Sequence, residues 1–361
     1  MSTTKGDVKK NLEQKAYNMR ANALRMTTQA GSGHPTSALS AADLVAALFF
    51  YGMGYDPHNP HNPENDRFIL SKGHASPILY AAWKEVGILS DKDLQGYREF
   101  DSVLEGHSTM RFEHTEAATG SLGIGLSIGA GMALYAKMFK KKYRTFVLLG
   151  DSEITEGSVW EAAEVAAFYK LDNLVALLDC NRLGQSTETI HGHHLDRYAA
   201  KFEAFGWKTI KVDGHDMMQI MHALDKAQEA DDHPTIILAK TVKGYGVEEA
   251  ENKEGFHGKA FKKEELPAIL KRLKERFADV EAEKLSKDIL FEEGRYGAWQ
   301  KQFGKQEYRN MTSIPDDIIN NEKTEEQESN GCLITELKDP HYELGEMMPT
   351  RKAYGQALTD L

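Results

Sequence analysis

The sequence predicts an α/β fold in which helices flank a parallel β-sheet. The first observation is a set of short apolar runs with the length of β-strands, at residues 143–149, 174–178, 209–212 and 235–239. The second is that helical patterns lie between these runs, and strands that alternate with helices are typical of a parallel sheet. Right-handed crossovers place the carboxyl ends of such strands at one edge, where these folds bind ligands.

The bulk composition excludes several classes of protein. A chain of 361 residues with 41% hydrophobic content can form one large or two ordinary domains. Its formal charge of −11 argues against a nucleic-acid-binding or anionic-membrane-binding surface, because both need clustered basic residues. No apolar stretch approaches the roughly 20 residues of a membrane-spanning helix, and the N-terminus has no secretory signal. The two cysteines, Cys180 and Cys332, lie in dissimilar contexts, which favours a reducing cytoplasm over a disulfide framework.

The helices follow from apolar spacing. Residues 9–30 carry apolar positions on one face, and a second apolar helix covers about 40–50, after a break at Gly31-Ser32-Gly33-His34-Pro35. The segment 55–66 is rich in Pro, His and Asn and predicts a loop. Further helices are expected at a glycine- and alanine-rich segment that must pack closely against its neighbours, and between the strands: 117–138, 158–169 and 217–230.

The character of the chain changes after about residue 265. Residues 265–300 are charged and helical, residues 312–348 are acidic and polar like an exposed linker, and a new apolar helix begins at Arg351. An amphipathic helix with nothing after it cannot bury its apolar face alone, so we expect it to begin a truncated second domain. The predicted division is a ligand-binding domain at 1–265, a helical extension and linker at 266–348, and the start of the second domain at 349–361.

Two strand ends carry the strongest chemical signal. Gly150 and Asp151 end one predicted strand and Asn181 ends the next, so a crossover helix would bring Asp151 and Asn181 side by side. A carboxylate, an amide carbonyl and a nearby backbone carbonyl suit Mg²⁺ or Ca²⁺, with open positions for phosphate oxygens. The alternative is that Asp151 caps a helix and Asn181 occupies a turn.

Four histidines lie in glycine-flanked turns, namely His34, His74, His107 and His257. A single such histidine is ordinarily a solvated surface side chain, but four beside strand or helix breaks favour a shared cleft. Imidazole titrates near neutrality, so it can donate protons to, or accept them from, the hydroxyl groups of a ligand.

The run GDSEITEGSVWEAAEVAAFYKLDNLVALLDCNRLGQS resembles the thiamine diphosphate motif, and more closely its transketolase version. The resemblance extends from about Ala16 to Lys259, resumes at Arg351, and includes SGHPTSALSAADL, NDRFILSKGHASPILYA, ATGSLGIGLSIGAGMA and NKEGFHGK. One departure is Ser152, which stands where the motif usually has glycine and can still supply its backbone amide. The resemblance is to animal-type transketolases and implies the thiamine diphosphate-binding fold.

The resemblance implies a cofactor and a metal. Asp151, Asn181 and the backbone carbonyl of Leu183 would hold Mg²⁺, with Ca²⁺ or Mn²⁺ as alternatives. The residues implied to contact thiamine diphosphate are Ser37, His74, Gly120, Ser121, Leu122, Ser152, Glu156, Asn181 and Lys243. In the family, the residue at Glu156 lies near the subunit interface; its simpler interpretation is an acidic residue that the helix dipole favours.

The resemblance also implies the substrate contacts. His34, His107 and His257 would act catalytically near C1 and C2 of the donor ketose. Substrate binding would involve His34, Lys243, His257 and Arg351, the last through a guanidinium that suits a sugar phosphate. Lys72 and Lys259 are weaker candidates, with surface charge as the alternative for both, as solvent exposure is for Arg351.

The implied function is that of transketolase, which transfers a two-carbon ketol unit from a ketose phosphate to an aldose phosphate in the pentose phosphate pathway. The glutamate that activates the cofactor would lie on a pyrimidine-binding domain beyond residue 361, so we expect this chain alone to be weak or inactive. We expect a homodimer in the full-length enzyme, or a separate pyrimidine-domain partner chain, and a cytoplasmic location. The alternatives are the N-terminal subunit of a split transketolase, a cofactor-binding module without activity, and the related dihydroxyacetone and 1-deoxyxylulose-5-phosphate synthases.

Overall fold

The N-terminal helices form because their apolar residues recur on one face. A computed structural model describes residues 5–229 and 231–278. Helix α1 (Lys5–Ala30) buries Leu12 and Met19, as the apolar spacing predicts. Helix α2 (Pro35–Ala47) starts five residues earlier than predicted, because a proline suits the first turn of a helix. One wider helical turn, Leu48–Gly52, follows it and leads into the predicted loop.

The sheet is parallel throughout, and the predicted α/β fold is confirmed. Its strands are β1 (Arg67–Leu70), β2 (Thr145–Gly150), β3 (Leu174–Cys180), β4 (Lys208–Asp213) and β5 (Thr235–Lys240). They lie side by side in the order β1-β2-β3-β5-β4. The sequence predicted four of them and missed β1, which has only four residues.

Helices cover both faces of the sheet. They are α3 (Ser76–Val86), α4 (Asp91–Gln95), α5 (Ile124–Met138), α6 (Gly157–Phe168), α7 (Leu195–Ala204), α8 (Met217–Lys226) and α9 (Leu266–Phe277). Alternate strand residues point to opposite faces, so Phe146 and Leu148 join the core formed with α1, α2, α3 and α8. Val147 and Leu149 join the core formed with α5, α6 and α7. The result is a three-layer arrangement.

Helix α5 approaches the sheet closely because its glycines leave room, as its composition predicted. A Cβ at Gly129 would lie 2.5 Å from Val147, and one at Gly125 would lie 2.2 Å from the Ser71 hydroxyl. Glycine is therefore required at both positions.

The strand register sets up the ligand-binding edge. Gly150 pairs with Asp179, and Cys180 pairs with Lys240. The residues after β2, β3 and β5 therefore emerge together at one edge of the sheet, as right-handed parallel crossovers require.

The last described helix packs against the N-terminal pair. In α9, Ile269 and Leu273 share a small core with Leu24 of α1 and Leu39 of α2. The predicted linker and the helix starting at Arg351 lie outside the described residues, and the domain limits stay a prediction. Within residues 5–229 and 231–278, none of the helices has the length and apolarity that a membrane crossing needs.

Candidate active site

A pocket opens at the carboxyl edge where β2 and β3 end. Asp151 directly follows β2, Asn181 directly follows β3, and both are buried, as the strand pattern predicts. The pocket is lined by Ser37, Lys72, His74, Leu122, Gly150, Asp151, Ser152, Glu153, Asn181, Leu183, Lys243 and His257. All three residues predicted to hold a metal lie in it. Five further residues that were predicted to contact the cofactor also line it, namely Ser37, His74, Leu122, Ser152 and Lys243.

The side chain of Asp151 faces the pocket and does not cap a helix. Its carboxylate accepts hydrogen bonds from the backbone N–H groups of Ser152 at 3.0 Å and Arg182 at 2.7 Å. Helix α6 begins only at Gly157. Burial and the nearby charge of Asp179 raise the pKa of Asp151 to about 7. A buried carboxylate of this kind is stabilised in its charged form by a bound cation.

The oxygens beside Asp151 suit a hard cation. Asn181 takes the turn role considered as an alternative, since its Oδ1 accepts from the Leu183 N–H at 3.2 Å. The carbonyl of Leu183, a residue that lines the pocket, accepts from Lys243 Nζ at 2.8 Å. Among the described residues, no cluster of three or more His, Cys, Asp or Glu side chains could hold a metal. One carboxylate and two carbonyls suit Mg²⁺ or Ca²⁺, with the remaining positions left to ligand oxygens.

A buried ion pair lies under this edge. Lys72 Nζ pairs with Asp179 and also donates to the Ser37 carbonyl at 3.0 Å. Burial alone would raise the pKa of Asp179, but Lys72 and the hydroxyl donors reverse this and lower it. Asp179 accepts further hydrogen bonds from Ser40 at 2.6 Å and from Asn181 Nδ2 at 3.1 Å. The surface-charge alternative is therefore wrong for Lys72.

The other two candidate lysines have different surroundings. Lys243, which follows β5, is buried and donates to His257 Nδ1 at 3.0 Å. Burial and the charge of Lys72 lower the pKa of Lys243 to about 8. Lys259 is exposed and places its Nζ 5.5 Å from the ring centre of Phe256, outside the pocket.

The four glycine-flanked histidines form one cluster. The His34 ring centre lies 5.1 Å from that of His74, 6.0 Å from that of His107 and 4.9 Å from that of His257. His34 immediately precedes α2 and the other three lie after strands or in loops. A Cβ at Gly258, whose φ is +68°, would lie 3.1 Å from His34 Nε2, so glycine permits this approach.

Burial keeps these imidazoles neutral. It lowers the pKa of His34 to about 4, with help from His107 and Arg98, and that of His257 to about 3, with help from Lys243. Burial and Lys72 lower the pKa of His74 well below its usual value, and burial with Arg98 lowers that of His107. The buried Nδ1 of His34 has no hydrogen-bond partner in the described part of the chain. Its hydrogen-bonding capacity is therefore unmet within those residues.

Of the predicted cofactor contacts in the loop that precedes α5, one lines the pocket. Leu122 lines the pocket and Gly120, with a φ of +143°, lies against the His107 ring. Ser121 is exposed. Glu156 is exposed just before α6, where its Cβ would be 2.6 Å from a Cβ at Gly123. Arg351 lies outside the described residues.

Sequence reasoning missed two residues beside the pocket. The guanidinium of Arg98 lies on Gly106, where a Cβ would be 2.8 Å from its Cζ, and Arg98 has a φ of +66°. Glu153 is buried between β2 and α5. The glycine before His107 indicates a close neighbour, but no local pattern identifies that neighbour as Arg98. No local pattern marks Glu153 as a residue of the site either.

Comparisons with known proteins agree with this geometry. Residues 12–320 match the family described as "Transketolase, thiamine diphosphate binding domain". The transketolase of Homo sapiens is 42% identical over 97% of this chain and 50% of its own length. The transketolase structure from Campylobacter jejuni matches with a TM-score of 0.70 and 26% identity over 86% of this chain and 50% of that one.

A second solved structure is the Pichia stipitis transketolase in complex with xylulose-5-phosphate. It matches with a TM-score of 0.66 and 25% identity, over 82% of this chain and 47% of that one. The chain thus spans about half the length of the relatives it matches. It belongs to the transketolase family and carries the family's thiamine diphosphate-binding domain.

Proposed function

We propose that this chain forms the diphosphate- and metal-binding half of a transketolase active site. The complete site would transfer a two-carbon ketol unit from a ketose phosphate to an aldose phosphate, in the pentose phosphate pathway. The observation that carries the proposal is the convergence of Asp151, Asn181 and Leu183 in a pocket beside neutral histidines. The location proposed is the cytoplasm, in keeping with the free, buried thiol of Cys180.

The residues at the sheet edge would hold the cofactor's charged end. Asp151, Asn181 and the Leu183 carbonyl would bind Mg²⁺, or Ca²⁺ or Mn²⁺ in its place, while Ser37, His74, Gly120, Ser121, Leu122 and Ser152 would lie along thiamine diphosphate. When bound, thiamine diphosphate supplies the carbanion-stabilising chemistry. Lys243 would place a positive charge beside the diphosphate, and Glu156 would lie at the subunit boundary.

The histidines would donate protons to, and accept protons from, the donor sugar. Lys243 has a pKa of about 8 and His257 one of about 3, so at neutral pH Lys243 donates to Nδ1 of a neutral His257. The proton of His257 is then on Nε2, from which it can be donated to a substrate oxygen. His34 lies 4.9 Å from His257 between ring centres, and His107 lies beside Gly120. Arg351 would bind the sugar phosphate.

The site would be completed by another polypeptide surface. We propose a homodimer of the full-length enzyme, or a pyrimidine-domain partner chain. Two neighbouring helices, α5 and α6, expose large apolar side chains, which favours a subunit contact there: Tyr135, Met138, Phe139, Val165, Phe168 and Tyr169.

Calorimetry of thiamine diphosphate with the 361-residue chain, with and without Mg²⁺, tests the cofactor half of the proposal. Mg²⁺-dependent binding supports it, and absence of binding at millimolar cofactor contradicts it. A two-carbon-transfer assay with xylulose 5-phosphate and ribose 5-phosphate tests the need for a second domain. Robust turnover by this chain alone would contradict that need. Co-purification with a pyrimidine-domain chain would favour the split-enzyme alternative.

A further inference from the structure

One buried carboxylate joins three segments around the pocket. Glu153 lies two residues after Asp151 and is 1% exposed. Its Oε1 accepts hydrogen bonds from the Gly123 N–H at 3.0 Å and from the Ser71 hydroxyl. Its Oε2 accepts from the Gly150 N–H at 3.0 Å. The end of β1, the end of β2 and the start of α5 therefore meet at a single side chain.

These contacts connect the two parts of the site that would hold the diphosphate. Gly150 immediately precedes Asp151, and Gly123 immediately follows the loop Gly120–Leu122. The other end of that loop is anchored by Thr119, whose hydroxyl donates to the Leu70 carbonyl at 2.6 Å. Glu153 is thus the anchor that ties the loop directly to the residue beside the metal ligand.

The chemistry of the contacts requires two acceptor oxygens. A carboxylate accepts at both oxygens, whereas a glutamine side chain accepts at one and donates at the other. In Glu153→Gln, the amide nitrogen would face either the Gly150 N–H or the Gly123 N–H, so one donor would be left without a partner. Leaving a buried donor without a partner is unfavourable, which favours displacement of the loop or the strand end.

We propose that Glu153 is a positioning residue that sets the spacing between the Gly120–Leu122 loop and Asp151, and thereby the affinity for thiamine diphosphate. The proposal rests on the proposed function of the pocket. Glu153 does not touch the cofactor through its carboxylate in this role; it acts through Gly123 and Gly150. Gly123 is itself constrained, because its φ is +90° and a Cβ would lie 2.6 Å from Glu156.

The test compares thiamine diphosphate binding at saturating Mg²⁺ by calorimetry in the wild-type chain, Glu153→Gln and Glu161→Gln. Glu161 is an exposed glutamate of α6 and serves as the matched control. We expect Glu153→Gln to weaken binding about 10-fold, as for other residues that orient ligand-binding groups. The control should bind like the wild type. Equal affinity of Glu153→Gln and the wild type would overturn the proposal, whereas a wild type that does not bind would instead refute the proposed function.

A second measurement separates positioning from plain stability. In chains labelled with ¹⁵N-glycine, the amide signals of Gly123 and Gly150 should shift in Glu153→Gln, while that of Gly87, whose N–H is bonded to carbonyls of α3, should stay. If Glu153→Gln does not fold, Glu153→Asp replaces it, because the shorter side chain keeps both acceptor oxygens but cannot keep both backbone contacts, with Gly123 and with Gly150, at their present lengths. We then expect about 3-fold weaker binding, the equivalent of one modest hydrogen bond. Unchanged affinity in Glu153→Asp would also overturn the proposal.

Discussion

The two sides of the pocket handle charge in opposite ways. At the sheet edge, Lys72, Asp179 and Asp151 are ionisable, buried and connected by several hydrogen bonds each. In the histidine cluster, the rings contact one another, their pKa values are lowered, and the buried Nδ1 of His34 has no partner in the described residues. One side is built around buried ionisable groups in contact with one another, and the other consists of imidazoles whose charged form is disfavoured.

This difference explains how one cleft can serve two parts of a ligand. Buried charges cost desolvation energy unless they are paired. The sheet edge therefore pairs its own buried charges, and a bound metal and diphosphate would add further opposite charges there. A neutral imidazole can donate a hydrogen bond from one ring nitrogen and accept one at the other, so it can bind ligand hydroxyl groups without a fixed charge. Four variants test the contrast, two on each side.

The largest effect is expected from Lys72→Met. It leaves Asp179 buried without its ion-pair partner, and breaking a buried pair costs about 3–5 kcal/mol. Urea unfolding measures the loss. The control is Lys208→Met, which removes a pair with Asp231 in which both side chains are about one-third exposed, at 30% and 37%. We expect it to cost under about 1 kcal/mol. Equal losses would show that the sheet edge is not built around this charge pair.

A smaller free-energy change is expected from Asp151→Asn, which removes the one carboxylate in the proposed metal-ligand set. Mg²⁺-dependent binding of thiamine diphosphate should weaken by roughly 100-fold, or about 2.7 kcal/mol. Asp196→Asn is the matched control, since Asp196 is exposed and pairs with Lys211 away from the pocket residues. Calorimetry at fixed Mg²⁺ measures both variants. Binding by Asp151→Asn within threefold of the wild type would remove Asp151 from the metal site.

Much of the fold could be predicted because the strands are buried and apolar. Every residue of β2 and β3 is buried, so each stands out in the sequence as a nearly continuous apolar run. Strand β1 was missed because four residues are too few to show a period, and its last three are buried only through long-range packing. Helix α7 was missed because it follows an irregular loop and carries several exposed charges.

The site could be predicted only where it sits at a strand end or a glycine turn. Asp151 and Asn181 follow strands, and the histidines stand beside glycines, so local sequence marks them. The positions of Lys72 and Glu153 depend on distant partners along the chain, Asp179 and Gly123, and Arg98 acts on His34, which lies on another segment. No local pattern encodes such pairings, and only the fold brings these partners together.

On the histidine side, the pH dependence of stability should reflect neutral burial. Unfolded histidine binds a proton below about pH 6.5, whereas His34 and His257 in the folded chain do so only near pH 4 and pH 3. Their contribution to stability is therefore complete above pH 6.5 and lost as the pH falls below it. The raised pKa of Asp151 changes stability with pH in the opposite direction. This effect is present in the wild type and in a histidine variant alike, so it cancels when the two are compared.

We expect the thermal unfolding temperature of the wild type to fall more between pH 7 and pH 5 than that of His34→Gln/His257→Gln. The excess should be roughly 2–4 °C, the equivalent of about 1 kcal/mol after discounting for the partial exposure of both rings. Scanning calorimetry at both pH values measures it. His222→Gln, on α8, serves as the control and should keep the wild-type slope. Parallel slopes in all three proteins would mean that the cluster is not buried as neutral imidazole.

The smallest effect concerns Arg98, which adds to what burial already does. Its charge lowers the pKa values of His34 and His107, and it does not contribute to the lowered pKa of His257. In Arg98→Met, the NMR titrations of His34 and His107 should therefore move upward while that of His257 stays, and Arg98→Lys should retain most of the wild-type behaviour. A uniform shift of all three histidines would indicate that the loop had opened and that burial had been lost. A shift confined to His34 and His107 would show that two separable causes lower the histidine pKa values. One is desolvation of the imidazoles, and the other is the positive charge of Arg98, whose guanidinium lies on Gly106.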